Sequence, residues 1–229
     1  MDTRFWFAVY NLFFLPLLLG IFKILAPFSP NIRESLEKRE GLWERLENSV
    51  SKRDWQKPLI WFHVASAGEL LQAQPLIEGC FAQGSDCVLT YSSVNAFHWL
   101  EKPEHKKNLN LLAAEFLPLD LISNVRRILG LLQPSRLIWV SYDLWPNLVW
   151  EAYRQKIPQS LVSGIVHASS LRTKNFAGRS LFRSLYQNLE HILTVSEADR
   201  QRIFSSFPEH PYVKVMGDTR CDSVLERRD

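Results

Sequence analysis

Apolar and polar positions divide the chain into three stretches with different periods. From Phe5 to Phe28 the residues are almost continuously apolar, FWFAVYNLFFLPLLLGIFKILAPF, with Asn11 and Lys23 the only strongly polar members. From Asn31 to Lys57 charges alternate around Leu36, Leu42, Trp43, Leu46 and Trp55, which predicts a surface helix and a connecting loop near a membrane. From Pro58 onward short apolar runs alternate with helical patterns. Leu59–Val64, Cys87–Tyr91, Glu115–Leu117, Arg136–Ser141, Ser160–Ser163, His191–Val195 and Val213–Met216 predict strands. Helices are predicted between them, starting near Glu69, Val94, Leu121, Asn147, Ser180 and Glu197. This βαβα order implies an α/β fold: a Rossmann-like parallel sheet with helices on both faces and right-handed crossovers. The expected divisions are 1–28 as a membrane anchor, 29–57 as a charged juxtamembrane helix and linker, and 58–222 as the Rossmann-like domain. Residues 223–229 are expected to begin an interdomain linker, and Lys102–Asn110 to be a mobile polar loop.

Two strand exits carry candidate chemistry. In Trp61-Phe-His-Val-Ala-Ser-Ala-Gly-Glu69, a buried strand runs into small residues and then a carboxylate at the first turn of a helix. Ser66, Ala67 and Gly68 let the backbone turn and a ligand approach. Glu69 then sits at the C-terminal edge of the sheet, where open α/β sheets hold ligands. A carboxylate there can act as a general base, and it also suits the helix macrodipole in any protein. In Ile138-Trp-Val-Ser-Tyr-Asp-Leu-Trp-Pro-Asn147, a second strand ends at the same edge, with Pro146 suited to a first helical position. Asp143 can meet substrate or cap the helix, Trp145 can stack on a sugar or acyl chain or cover the core, and Asn147 joins the cluster. His63 reads as a satisfied core or edge residue, because no metal-ligand partner lies at suitable spacing.

The apolar N-terminal stretch changes the picture of location. Phe5–Phe22 is free of charge and about as long as the roughly 20 residues that cross a bilayer. It lacks the basic start and cleavage site of a signal peptide. Pro16 would kink a soluble helix but is tolerated in membranes. A spanning helix, an in-plane or re-entrant anchor and a buried soluble helix are the three placements. Arg33, Lys38, Arg39 and Arg45 follow the stretch and only Arg4 precedes it, which places the globular part in the cytoplasm.

Composition excludes several classes. The 229 residues suffice for a sizeable core, and a net charge of +3 with interspersed signs leaves no nucleic-acid stripe. Cys80, Cys87 and Cys221 form no disulfide framework and no zinc pattern, so reduced thiols and no metal are expected. The sequence contains neither a Gly-x-Gly-x-x-Gly fingerprint, nor a P-loop, nor a Gly-x-Ser-x-Gly elbow.

In combination these pieces resemble the N-terminal half of the Kdo transferases, which add 3-deoxy-D-manno-octulosonic acid (Kdo) to lipid A precursors. The resemblance is carried by the apolar N-terminus, His63-Val-Ala-Ser-Ala-Gly-Glu69, Phe116-Leu-Pro-Leu-Asp120, Asp143-Leu-Trp-Pro-Asn147 and Gly217-Asp-Thr-Arg-Cys-Asp222. It implies the acceptor-binding half of a two-domain GT-B glycosyltransferase at the inner membrane, with its globular domain facing the cytoplasm. Glu69 is implied as the general base that deprotonates the acceptor hydroxyl, with CMP-Kdo as donor substrate and no cofactor or metal. Ser66, Ala67, Gly68, Asp143, Trp145, Asn147 and Arg172 are implied acceptor contacts, Arg172 and Lys174 toward phosphates. The family's Glu-x-Glu before Leu-Trp-Pro reads Ser141-Tyr-Asp143 here. The donor-binding half is expected in a separate or missing C-terminal domain, so this chain alone is expected to transfer sugar poorly. A non-catalytic lipid-binding or scaffold remnant of the same fold, or a different GT-B enzyme acting on a lipid-linked sugar, are the alternatives.

Overall fold

A computed structural model describes residues 3–102, 109–166, 175–207, 210 and 212–219. Seven strands follow the apolar runs: β1 (Leu59–Val64), β2 (Asp86–Tyr91), β3 (Ala113–Phe116), β4 (Arg136–Val140), β5 (Gln159–Gly164), β6 (His191–Thr194) and β7 (Val213–Val215). All pair in parallel, in the order β3-β2-β1-β4-β5-β6-β7. Continuous apolar runs suit such strands because both faces are covered. Leu59, Trp61, Val64, Cys87, Val88, Leu89, Leu137 and Trp139 accordingly have no exposed surface. The chain adds β2 and β3 on one side of β1, then crosses back to lay β4 on the other. A topological switch point therefore lies between β1 and β4, with a crevice beyond their carboxyl ends.

The linking helices are α4 (Ala67–Ala82), α5 (Val94–Glu101), α6 (Ile122–Leu132), α7 (Pro146–Arg154), α8 (Phe176–Tyr186) and α9 (Glu197–Ser206). Reversal of strand order with right-handed crossovers puts α4 and α5 on one face and the later helices on the other. Helix α8 starts at Phe176, four residues ahead of the predicted Ser180, because Asn175 supplies the cap by accepting from the Gly178 amide.

The N-terminal stretches differ from expectation. Residues predicted as one surface helix and a loop form α2 (Pro30–Glu37) and α3 (Leu42–Val50), separated by Gly41 in a left-handed conformation. Leu42, Leu46 and Val50 turn a stripe of α3 into the core, so this segment belongs to the domain. Arg39 donates to the Leu117 carbonyl at 2.9 Å and Arg45 pairs with Glu115 at 2.7 Å. Two of the four cations behind the predicted orientation are thus engaged within the protein, which weakens that charge count.

The apolar stretch is one helix, α1, over Thr3–Leu25, 23 residues long. Pro16 lies within it. The helix opens into a π turn over Tyr10–Phe14, two residues before the proline that cannot donate a backbone hydrogen bond. The extra residue also sets the packing. Trp6, Tyr10 and Leu15 are buried, with a five-residue step across the π turn, and Leu19 packs partly against the core farther on. The opposite face leaves Leu12, Phe13, Leu17, Ile21 and Ile24 exposed.

Candidate active site at the sheet switch point

Glu69 follows β1 and Asp143 follows β4, so the two carboxylates stand on either side of the switch-point crevice. Ser66 adopts extended backbone and its Oγ accepts the Glu69 amide at 3.3 Å, which starts α4 at Ala67 rather than after Glu69. The Glu69 carboxylate reaches back to accept the Ala65 and Ser66 amides. Ser66-x-x-Glu69 is therefore a capping box, a signal present in the sequence that explains how the turn is held. Gly68 lies in the first helical turn, where a Cβ would meet only Ser66 Oγ, 3.8 Å away. A missing side chain there keeps space open beside the carboxylate.

Glu69 is only 5% exposed. Its pKa rises from the ordinary 4.5 to about 7, chiefly through burial; the two amides oppose the shift and the nearby Asp143 charge adds to it. A carboxyl poised near neutrality is suited to take up a proton at physiological pH.

Asp143 contrasts with it. Burial alone would raise its pKa, but donors hold the carboxyl below its ordinary range. They all converge on Oδ2: Ser92 Oγ at 2.9 Å, Trp145 Nε1 at 3.1 Å and His63 Nε2 at 3.2 Å. No hydrogen bond among the described residues uses Oδ1. Two carboxyls pushed in opposite directions supply one ionised anchor and one proton acceptor in the same crevice. Trp145 is half-buried with its indole tied to Asp143.

Asp143 does not cap α7. That N-terminus is capped by Asp120, at the end of the Phe116-Leu-Pro-Leu-Asp120 segment: Oδ2 accepts the Asn147 amide at 2.9 Å and Oδ1 the Leu148 amide at 3.1 Å. Tyr10 of α1 donates to the same carboxylate at 2.9 Å. Asn147, a predicted acceptor contact, is fully buried; its side chain bonds the Asp120 carbonyl and pairs reciprocally with Asn11. Its place is behind the crevice, locking α1 to α7. Ser141 and Ser163, at the ends of β4 and β5, take positive φ of 68° and 49°, uncommon for residues with a side chain. Thr219, from the Gly217-Asp-Thr stretch, closes the group by donating to the Gln72 carbonyl of α4 at 2.8 Å.

Ser66, Ala67, Gly68, Glu69, Asp143 and Trp145 thus gather at one edge, whereas Arg172 and Lys174 lie outside the described residues. His63, Ser92, Thr90 and Asp120 escaped sequence reasoning as site components, because only the fold brings their partners near. A 220 Å³ cavity between Phe22, α2 and Ser92–Asn95 adjoins the Asp143 side. A larger one of 570 Å³ lies at the β3 edge, lined by Lys38, Tyr91, Phe97 and Glu101, and includes neither carboxylate of the crevice.

The seven-stranded parallel sheet with its switch-point site is of the GT-B-like class. UDP-GlcNAc 2-epimerases share the fold: that from Rickettsia bellii has a TM-score of 0.55 at 15% identity over 75% of this chain and 47% of its own. That from Neisseria meningitidis has 0.54 at 14% identity, covering 74% and 49%. Residues 34–223 match the family described as 3-Deoxy-D-manno-octulosonic-acid transferase (kdotransferase), and the chain belongs to that family. The 3-deoxy-D-manno-octulosonic acid transferase of Bordetella pertussis is 29% identical over 63% of this chain and 34% of that protein. A probable mitochondrial one from Arabidopsis thaliana is 34% identical over 50% and 25%. The chain therefore spans about a third or less of these relatives.

Proposed function

We propose that this chain is the acceptor-binding half of a Kdo transferase. Glu69 accepts the proton of a lipid A precursor hydroxyl as that oxygen attacks the anomeric carbon of Kdo, and CMP leaves from CMP-Kdo. Ionised Asp143 offers Oδ1 to an acceptor hydroxyl, with Trp145 beside it and Ser66, Ala67 and Gly68 forming the open floor. The donor is held by a second domain outside these residues. The observation that carries this reading is the opposed electrostatics of Glu69 and Asp143 across the switch point, in a chain of this family.

Helix α1 supports a lipid-linked acceptor, and its packing favours an in-plane anchor at the cytoplasmic face of the inner membrane. Spanning the bilayer would pull Trp6, Tyr10 and Leu15 off the domain and strip Asp120 and Asn147 of partners. Each buried group left unpaired costs about 1–3 kcal/mol, and each exposed large side chain roughly as much. Nitroxides on Leu17→Cys and Ile24→Cys should report the same shallow depth in vesicles. A depth difference near 10 Å, the rise of seven helical residues, would instead mean a spanning helix.

The decisive experiment complements the chain with a donor-binding half from a relative and measures Kdo transfer from CMP-Kdo to a lipid A precursor. Glu69→Gln should lower kcat by about 10²- to 10⁴-fold, the usual contribution of a general base, with acceptor KM little changed. One observation favours a second reading, a non-catalytic lipid-binding protein: the capping box already uses the Glu69 carboxylate. Acceptor binding without transfer in the complemented protein, or transfer indifferent to Glu69→Gln, would select that reading.

A further inference from the structure

Behind the crevice lies a polar chain that the proposed reaction does not itself require. His63 has no exposed surface and stands edge-on to Trp139, with ring centroids 5.6 Å apart. Its Nδ1 is 2.9 Å from Thr90 Oγ1 and its Nε2 is 3.2 Å from Asp143 Oδ2. Thr90 is also fully buried, and its Oγ1 accepts the Trp61 indole N–H at 2.8 Å. The threonine hydroxyl hydrogen then has two acceptors within reach, His63 Nδ1 at 2.9 Å and the Phe62 carbonyl at 3.5 Å. The shorter contact wins, so Nδ1 accepts and the imidazole hydrogen sits on Nε2, pointing at Asp143. This assignment follows from the network, since a ring's tautomer is set by the partner of its other nitrogen.

We propose that His63 is a positioning residue: keyed by Thr90, it donates from Nε2 to Asp143 Oδ2 and so fixes that carboxylate with Oδ1 free for the acceptor. Asp143 is the end of a strand-exit turn whose own backbone does not hold it. Its Oδ2 is gripped by donors from three directions: His63 on β1, Ser92 after β2 and Trp145 before α7. Ser92 Oγ also lies 3.3 Å from His63 Nε2, but of the three donors only His63 is fully buried and held on its far side as well, by Thr90, so it is the rigid member. The other ionisable groups facing Asp143 are Glu69, Tyr10 and Asp120; the charge of Asp143 raises all three, and no hydrogen bond among the described residues runs from them to it. Without His63 the buried carboxylate keeps two donors, both on half-buried side chains. It should then both titrate higher and lose its aim.

The proposal rests on the acceptor role given to Asp143, but its first test needs no sugar transfer. Carboxyl ¹³C and imidazole ¹⁵N NMR of the whole chain follow Asp143 and His63 through pH. In the native protein the imidazole should show a protonated Nε2 and an unprotonated Nδ1. His63→Leu should raise the Asp143 midpoint by about one pH unit, a common size for the loss of a hydrogen bond to a charged group. His63→Gln, whose amide can donate from nearly the Nε2 position, should bring it most of the way back. Should His63→Leu fail to fold, Thr90→Val keeps the test alive, because it leaves the imidazole in place while removing the partner that Nδ1 shares with the Trp61 indole, and should shift the Nδ1 ¹⁵N resonance and the tautomer balance. A native Nδ1–H tautomer, or an Asp143 midpoint unmoved in folded His63→Leu, overturns the proposal. In the complemented transferase, Thr90→Val and His63→Leu should raise acceptor KM about three- to tenfold and leave kcat within twofold, and His63→Gln should return KM most of the way. Shifted NMR midpoints with unchanged KM would uphold the positioning of Asp143 by His63 and sink the acceptor role of Asp143 instead.

Discussion

The turns after β1 and β4 are the same device built twice, a central parallel strand leading into a helix at the switch point, yet they are held in different ways. After β1, everything needed is local: Ser66 caps the helix and Glu69 reaches back to Ala65 and Ser66 within five residues. After β4, nothing local serves. Trp145 occupies the cap position without a side-chain bond, Pro146 follows, and the helix is capped from Asp120, 27 residues upstream. The first turn is a closed unit that buries its own carboxylate and raises its pKa. The second leaves Asp143 free of capping duty, so His63 and Ser92 from other strands, with Trp145 of the same turn, can stabilise it as an anion. Remote capping is thus what releases Asp143 for the crevice, while local capping keeps Glu69 desolvated.

Removing the caps should show the difference at its largest. Asp120→Ala deprives the Asn147 and Leu148 amides of their acceptor and leaves Tyr10 without a partner in a buried site. A lost cap costs about 1 kcal/mol and each buried unpaired group about 1–3, so a loss of about 3 kcal/mol or more is expected in urea unfolding. Ser66→Ala removes a single cap bond at a half-buried turn and should cost about 1 kcal/mol. Equal losses in the two variants would mean that Asp120 is not the keystone of its side, and the contrast between local and remote capping would collapse.

The same contrast marks what the sequence made legible. Strands such as Leu59–Val64 and Arg136–Val140 announced themselves because parallel strands covered on both faces must be continuously apolar. The Ser66-x-x-Glu69 spacing of a capping box also stands in the sequence, since local devices have local spacing, but from sequence Ser66 reads only as part of a tight turn. Asp120 reads from sequence as part of a motif and not as a cap, and Asn147 as an acceptor contact, because their partners lie in remote segments. His63 read correctly as a satisfied buried residue, but the chain from Trp61 through Thr90 to Asp143 depends on the alignment of β1, β2 and β4. Helix α1 hid its packing for another reason. It is apolar all round, and the π turn shifts its buried stripe from Tyr10 to Leu15, so no 3.6-residue period could reveal which face docks.

The finest test of the comparison is the pH dependence of stability, where a single group acts over several pH units. Glu69 binds its proton more tightly in the folded protein, with a pKa near 7 against an ordinary 4.5. Between those values the native state holds more protons than the unfolded chain, so this group makes stability fall as pH rises through that window. Asp120, raised from 3.8 to about 7 mainly by burial, acts in the same sense. Asp143 is depressed below its ordinary 3.8, so its contribution is present above that value and is lost as pH falls through the folded pKa. Urea midpoints measured from pH 3 to pH 8 should therefore show opposite changes. Glu69→Gln should flatten much of the decline between about 4.5 and 7, whereas Asp143→Asn should flatten the loss on the acid side and trim that decline only by the smaller part of the Glu69 and Asp120 shifts that its charge supplies. If Asp143→Asn left the acid limb unchanged, or Glu69→Gln altered that limb instead of the decline, the division between a proton acceptor and a fixed anion would have to be abandoned.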